Sequence, residues 1–377
     1  MGLSRFKLAG SVLVAAGLAV ALVIQHQAQT RLRAENQSLR RQMAELQAET
    51  RRLSRRAAIP KLMPIQVATQ TNEALPDELH SANVFSRYTN EVPKLTAAQV
   101  EAFLKANRTN GASLLAAYRT SGDPTLLKEA MEKYPDDPQV AFEAAVNKKL
   151  PPEDQRQWLD NFKTAAPDNA LANYLSAGNY FDSGQIDQGI AELTAASGKR
   201  INDYTLERAL NDQEAYLSAG YSPVEAECIA DSSLLIPQDS MVKGLGVDLV
   251  SLAKTYQQAG DPASAQAAFQ MAINLGQNYA ALPNDPILIN QLVGLAIQKI
   301  AFNAMDPNSP YGDTGQTAQD QMNQINQVRT SLRELANQAT PWLPMMSDQD
   351  ILSYENRRQA FGEVAALQWV VGKFGQP

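Results

Sequence analysis

The chain is poor in the residues that metal and nucleophile chemistry most often uses. In 377 residues it has one cysteine, Cys228, and two histidines, His26 and His80. A single thiol excludes an intramolecular disulfide and a cysteine-based zinc site. Cys228, between Glu227 and Ile229 in a helical-looking stretch, reads as a buried small hydrophobe. His26 lies at the edge of an apolar N-terminal segment and His80 in a proline-punctuated stretch. They cannot build a histidine metal cluster or a triad in the body. Aromatics are only 7% of the chain against 44% hydrophobic residues in total, with abundant Ala and Gln. That balance suits helices better than sheets. No run alternates apolar and polar residues with period two.

Short motifs that suggest chemistry lack their context. Gly244-Leu245-Gly246 is a lone glycine pair with no strand before it, so it does not make a nucleotide-binding turn. Asp313-Thr314-Gly315 spells the aspartic-protease triplet. Its neighbours Pro310, Tyr311, Gly312 and Gln316 lie between helices and not between apolar strands, so it reads as a turn. Asp306, Asn308 and Asp313 offer oxygen ligands, but the glycine and final glutamate of a calcium loop are missing. Carboxylates are plentiful, and nothing in their spacing selects a glycosidase-like acid pair. No catalytic residue, metal ligand or cofactor is expected, and the chain reads as a non-enzyme.

Long hydrophobic runs are also missing, with one exception. Leu8 to Ile24 carries no charge, and Ser11 is its one polar side chain. At 1.5 Å per residue it spans about 25 Å, the low end for a bilayer. Residues 1–7 then form a short basic tail and residues 8–24 a transmembrane helix. A cleaved signal peptide is the alternative, with Arg5 and Lys7 as its basic start; His26, two positions before the cleavage candidate Ala28, disfavours it. Arg5 and Lys7 favour a cytoplasmic N-terminus, while Arg31, Arg33, Arg40 and Arg41 pull the other way. A very short tail before one span resembles a signal anchor, so the expectation is a single-pass protein of the bacterial envelope with its body outside the cytoplasm.

Charge is divided unevenly. Residues 1–61 hold eleven Lys or Arg against Glu35, Glu45 and Glu49, a balance of +8. With an overall charge of −7, the remainder carries −15. A basic stem is attracted to anionic lipid head groups. An acidic body lacks the basic footprint of a nucleic-acid binder.

After the apolar segment, Leu32, Leu39, Leu46 and Leu53 repeat every seven residues. With these at d, Asn36, Met43, Thr50 and Ala57 fall at a. Apolar d positions and a polar Asn at a predict a parallel two-stranded coiled coil over residues 28–57, a homodimer. Glu35 at g and Arg40 at the next e have the spacing of an interchain pair. A monomeric amphipathic helix is the alternative. Residues 58–92, broken by Pro60, Pro64 and Pro76, form a linker.

From 93 to 306 the pattern is short helices bounded by Gly, Asp, Asn and Pro, among them Pro124, Pro138, Pro152, Pro223, Pro237 and Pro262. One segment is specific: Leu249, Leu252, Ala253, Tyr256, Gly260, Ala265, Phe269 and Ala272. Asn173–Ala196 repeats the spacing with Ala177, Tyr180, Gly184, Leu193 and Ala196, and a weaker copy runs through Leu114, Tyr118, Gly122 and Met131. These residues resemble the tetratricopeptide (TPR) signature of helix–turn–helix repeats. The resemblance implies stacked hairpins, since one hairpin cannot bury its own face. The copies stand 62 and 76 residues apart at their tyrosines, so degenerate hairpins are expected between them.

After a loop at Asp306–Gly315, residues 307–377 carry two further helices. One, over Thr317–Ala336, aligns Met322, Ile325, Val328, Leu332 and Leu335. The other starts near Ser347 and aligns Ile351, Phe361, Val364, Leu367 and Val371. They are expected to cap the array, with partner docking as the alternative. The fold class is therefore all-α: a transmembrane helix, a coiled-coil stem, a TPR-like hairpin array and C-terminal capping helices.

The function that follows is a membrane-anchored scaffold binding a protein or peptide partner. The resemblance places a groove along the first helix of each hairpin, at Leu171, Tyr174 and Phe181 in one copy and Val250, Lys254 and Gln257 in another; Leu171, Tyr174 and Phe181 as plain core is the alternative. An envelope hydrolase acting through carboxylates and a purely structural spacer are the other readings.

Overall fold

The computed structural model describes residues 84–88, 92–107, 109–282, 287–311 and 315–375. The expected transmembrane segment (8–24), the expected stem positions Leu32, Asn36, Leu39, Met43, Leu46 and Leu53, and most of the expected linker lie outside the described residues. The described residues belong to one compact unit, Ala74–Pro377. The helices, in chain order, begin with α1 (Val84–Tyr88), α2 (Ala97–Ala106), α3 (Gly111–Ser121) and α4 (Pro124–Lys133). Then come α5 (Pro138–Ala145), α6 (Pro152–Ala165), α7 (Ala170–Asp182) and α8 (Ile186–Ala196). Next are α9 (Thr205–Ser218), α10 (Pro223–Ser233), α11 (Pro237–Gln258), α12 (Pro262–Ala280) and α13 (Leu288–Ala304). A two-residue ladder pairs β1 (Pro310–Tyr311) antiparallel with β2 (Gln316–Thr317). The chain then runs through α14 (Ala318–Ala339), a 3-10 turn (Thr340–Met345), α15 (Asp348–Phe361) and α16 (Glu363–Phe374).

The prolines mark where helices start. Each of the six named above is the first residue of its helix, where a missing N–H removes no intrahelical bond. Side-chain caps complete four of these starts. Asp123, Asp137, Ser222 and Asp261 accept backbone N–H bonds from Thr125, Gln139, Glu225 and Ser264.

The three segments that carry the repeat spacing are the hairpins α3–α4, α7–α8 and α11–α12. Gly122, Gly184 and Gly260 turn them, with φ of +77°, +73° and +73°. That left-handed conformation favours a residue without Cβ. Within α7–α8, a Cβ on Gly189 would lie 2.5 Å from the Phe181 ring, so the small residue lets that ring enter the hairpin.

The stack does not follow chain order throughout. Helix α7 packs on α6, on α8 and then directly on α11, which continues to α12 and α13. The intervening hairpin α9–α10 folds back onto α2 and α3. There Ala215, Tyr216, Ala226 and Ile229 share a core with Leu95, Phe103, Leu114, Leu115 and Leu127. This out-of-stack hairpin accounts for the 76-residue gap between Tyr180 and Tyr256. The chain is redirected at Tyr204, a non-glycine residue at φ +56°. Its ring is held 5.6 Å from Phe142 and 6.1 Å from Phe162, packing that offsets the strained backbone.

The C-terminal part departs from expectation. The second helix after Thr317 is two helices, because Gly362 at φ +84° breaks it. Phe361, expected on its apolar face, ends α15 71% exposed. The α15–α16 hairpin buries Ile351, Tyr354, Leu367 and Val370 with Val84, Val224 and Cys228, so it covers α10 as well as packing on α14. No helix among the described residues is long and apolar enough to cross a membrane.

Candidate functional site

The groove positions inferred from the repeat register do not come together on a surface. Leu171, Tyr174, Phe181 and Val250 are core side chains, all at most 9% exposed. The reason is the direct contact of α7 with α11, which encloses α7 between α6, α8 and α11. Burial raises the Tyr174 phenol above its ordinary pKa, and its hydroxyl oxygen accepts a bond from Asn278 Nδ2 at 3.1 Å. Lys254 and Gln257 are exposed on α11.

An open groove of about 780 Å³ lies instead between α2 and the α3–α4 hairpin. Leu95, Val100, Leu104 and Leu126 give it an apolar floor, with Glu101, Lys105 and Asp123 also lining it. Its position follows from local chemistry. Thr96 caps α2 and exchanges a capping box with Gln99. The Leu95 N–H donates to Thr120 O at 3.0 Å, drawing the start of α2 to the end of α3. Gln99 Nε2 donates to Ala219 O at 3.4 Å, tying α2 to the end of α9. The hydrophobic floor and charged margin match the chemistry by which grooves take amphipathic peptides or helices. Sequence spacing marks Val100, Phe103 and Leu104 as one face of α2, but the gap beside that face exists only in three dimensions.

A second cleft, about 640 Å³, runs between α6 and the α7–α8 turn. The Arg156 guanidinium lies 3.4 Å from the centre of the Tyr180 ring, a cation–π contact. Glu153, Asp160, Asp182, Asn179, Ser183 and Gln185 line the same cleft.

Charged groups inside the fold serve packing. Arg119 on α3 forks onto Asp212 on α9, with Nη2–Oδ1 at 2.7 Å and Nε–Oδ2 at 3.0 Å. Glu143 lies 3.3 Å from Arg119 Nη1 and 3.5 Å from Arg208 Nε. A second buried hub is Asp203, which accepts from Thr205 Oγ1 at 2.7 Å and Asn290 Nδ2 at 2.9 Å. No group of three or more His, Cys, Asp or Glu among the described residues is arranged to hold a metal ion. Asp306 and Asn308 lie at an exposed turn, where the Asn308 N–H donates to Asp306 Oδ1 at 3.0 Å; Asp313 lies outside the described residues. No known family, curated protein or solved structure matches this chain.

Proposed function

We propose that this chain is a membrane-anchored, non-catalytic scaffold that holds an amphipathic peptide or helix of a protein partner. The groove between α2 and the α3–α4 hairpin supports this reading, because half-buried Leu104 and exposed Glu101, Lys105 and Asp123 edge an open concavity above the buried Leu95, Val100 and Leu126. The TPR resemblance supports the same function class, since helical hairpin arrays present extended surfaces to partners. The anchor is residues 8–24, and the stem pairs two copies.

Leu104 is half-buried on the groove floor, so Leu104→Glu tests the reading without opening the core. A photoreactive residue at Lys105 in the full chain should capture a partner from intact membranes. Leu104→Glu should abolish capture, and Leu217→Glu on the exposed face of α9 should leave it unchanged. Equal capture by both variants would remove the groove from the function.

The envelope-hydrolase reading has one observation in its favour, the carboxylates Glu153, Asp160 and Asp182 around Arg156. Glycan hydrolysis that survives Glu153→Gln, Asp160→Asn and Asp182→Asn made together would exclude that cleft as its source.

A further inference from the structure

We propose that the contact between α10 and the α15–α16 hairpin is a proton-operated latch, closed while Glu227 is protonated and released when it ionises. Glu227 and Asp231 stand one turn apart on α10, and α15 brings Glu355 and Arg358 against them. The guanidinium is used by two carboxylates: Nη2 bonds Asp231, and Nε donates to Glu355 Oε2 at 2.5 Å. Glu227 Oε1 accepts from the neutral amide of Gln359 at 2.7 Å. Three carboxylates therefore cluster around one guanidinium, at a place where Glu227, Glu355 and Arg358 are 6%, 1% and 5% exposed.

The surrounding charges do not relieve this imbalance. Glu363, at the start of α16, accepts the Leu288 N–H at 2.5 Å. Asp348, at the start of α15, adds a further negative charge near Cys228. On α1, Arg87 and Tyr88 bind Glu225 at 3.4 and 3.2 Å. Burial and these carboxylates push the Cys228 thiol and the Tyr354 phenol upward, so both stay neutral.

Burial first, and Asp231 second, push the Glu227 carboxyl up to about 7, against the opposing pull of Arg358. Glu355 is raised for the same two reasons. Once the hairpin is released, Glu227 returns to the ordinary carboxylate range, near 4.3. The closed form therefore binds the proton more tightly than the open one. Its advantage is complete below about pH 4.3 and is lost as pH rises toward 7, by up to about tenfold per pH unit. Opening exposes the apolar face of α10 and Cys228, the chain's only cysteine.

That cysteine makes the test specific. The full chain is labelled with a thiol reagent from pH 5 to 8, and each rate is divided by that of a blocked cysteine peptide at the same pH. The ratio should rise about tenfold or more between pH 5.5 and 7.5, then level off, and Glu227→Gln should make that rise clearly smaller, with Glu355 supplying what remains. In parallel, intrinsic-rate-corrected hydrogen exchange should show amides of α15 and α16 losing protection over that window while α11–α13 keep theirs. A flat labelling ratio, an equal rise in Glu227→Gln, or simultaneous loss of protection in α11–α13 would each overturn the latch. If Glu227→Gln does not fold, the exchange pattern of the unmodified chain decides.

Discussion

Gly294 on α13 faces Gly276 on α12 with no space for a methyl group on either. A Cβ on Gly294 would stand 2.4 Å from Gly276 O, and one on Gly276 would stand 2.6 Å from Gly294 O. In both cases the obstruction is backbone, which cannot rotate away. Gly276→Ala and Gly294→Ala should each destabilise the body by about 1–3 kcal/mol or more, despite alanine's better helix propensity. Urea unfolding measures this, and a stabilised Gly294→Ala protein would contradict so close a crossing.

Asp239 should make stability pH-dependent. Burial raises its carboxyl to about 6, and the hydroxyl of Tyr279, donating at 2.5 Å, only partly offsets this. The folded chain holds the Asp239 proton more tightly than the unfolded chain. The stabilising term is thus full below about pH 3.9 and disappears as pH rises through 6. Asp239→Asn should remove about 1–3 kcal/mol of pH dependence between pH 4 and 7. Denaturant midpoints across that range give the slope, and an unchanged slope in the variant would reassign it.

Arg119 and Asp212 join α3 to α9 across 93 residues of sequence. Removing one partner strands the other charge inside the protein. Asp212→Ala should cost about 3–5 kcal/mol, and adding Arg119→Ala should cost less than the sum of the two single changes. A double-mutant cycle without coupling would show that the pair does not hold the fold-back in place.

The stem carries its own test. If Leu39 lies at a d position of a parallel dimer, Leu39→Cys should give a disulfide-linked dimer under mild oxidation in membranes. The native thiol, Cys228, is buried, so the unmodified chain is the control. Only monomer from Leu39→Cys would remove the paired stem and leave the helical body unaffected.

Local punctuation in the sequence was enough to find most of the body's helices. Prolines at first positions, Asp and Ser caps, and glycines in left-handed turns act within a few residues, so their effects can be read in order along the chain. Neighbour choice is different. The apolar face of α9 does not name α2 and α3 as its partners, and the charges Arg208 and Asp212 suggest a solvated helix. The guanidinium arriving from Arg119, with a smaller contribution from Arg208, makes burial of Asp212 tolerable. The same difficulty applies to the groove positions on α7. Repeat register puts Leu171, Tyr174 and Phe181 on an open surface, but the displaced α9–α10 hairpin lets α11 cover them. Gly362, a single residue with positive φ, was enough to turn one expected helix into two.

The returning α9–α10 hairpin also changes what kind of object this array is. Ordinary helical repeats are modular: units can be deleted, duplicated or peeled from one end, because each touches only its neighbours. Here residues near the beginning, middle and end of the body meet on a single hairpin. A C-terminal truncation would uncover α10, and an internal deletion of α9–α10 would unroof α2 and α3. The body should therefore resist evolution by unit gain or loss, because each such change strips a covering element from another part of the chain.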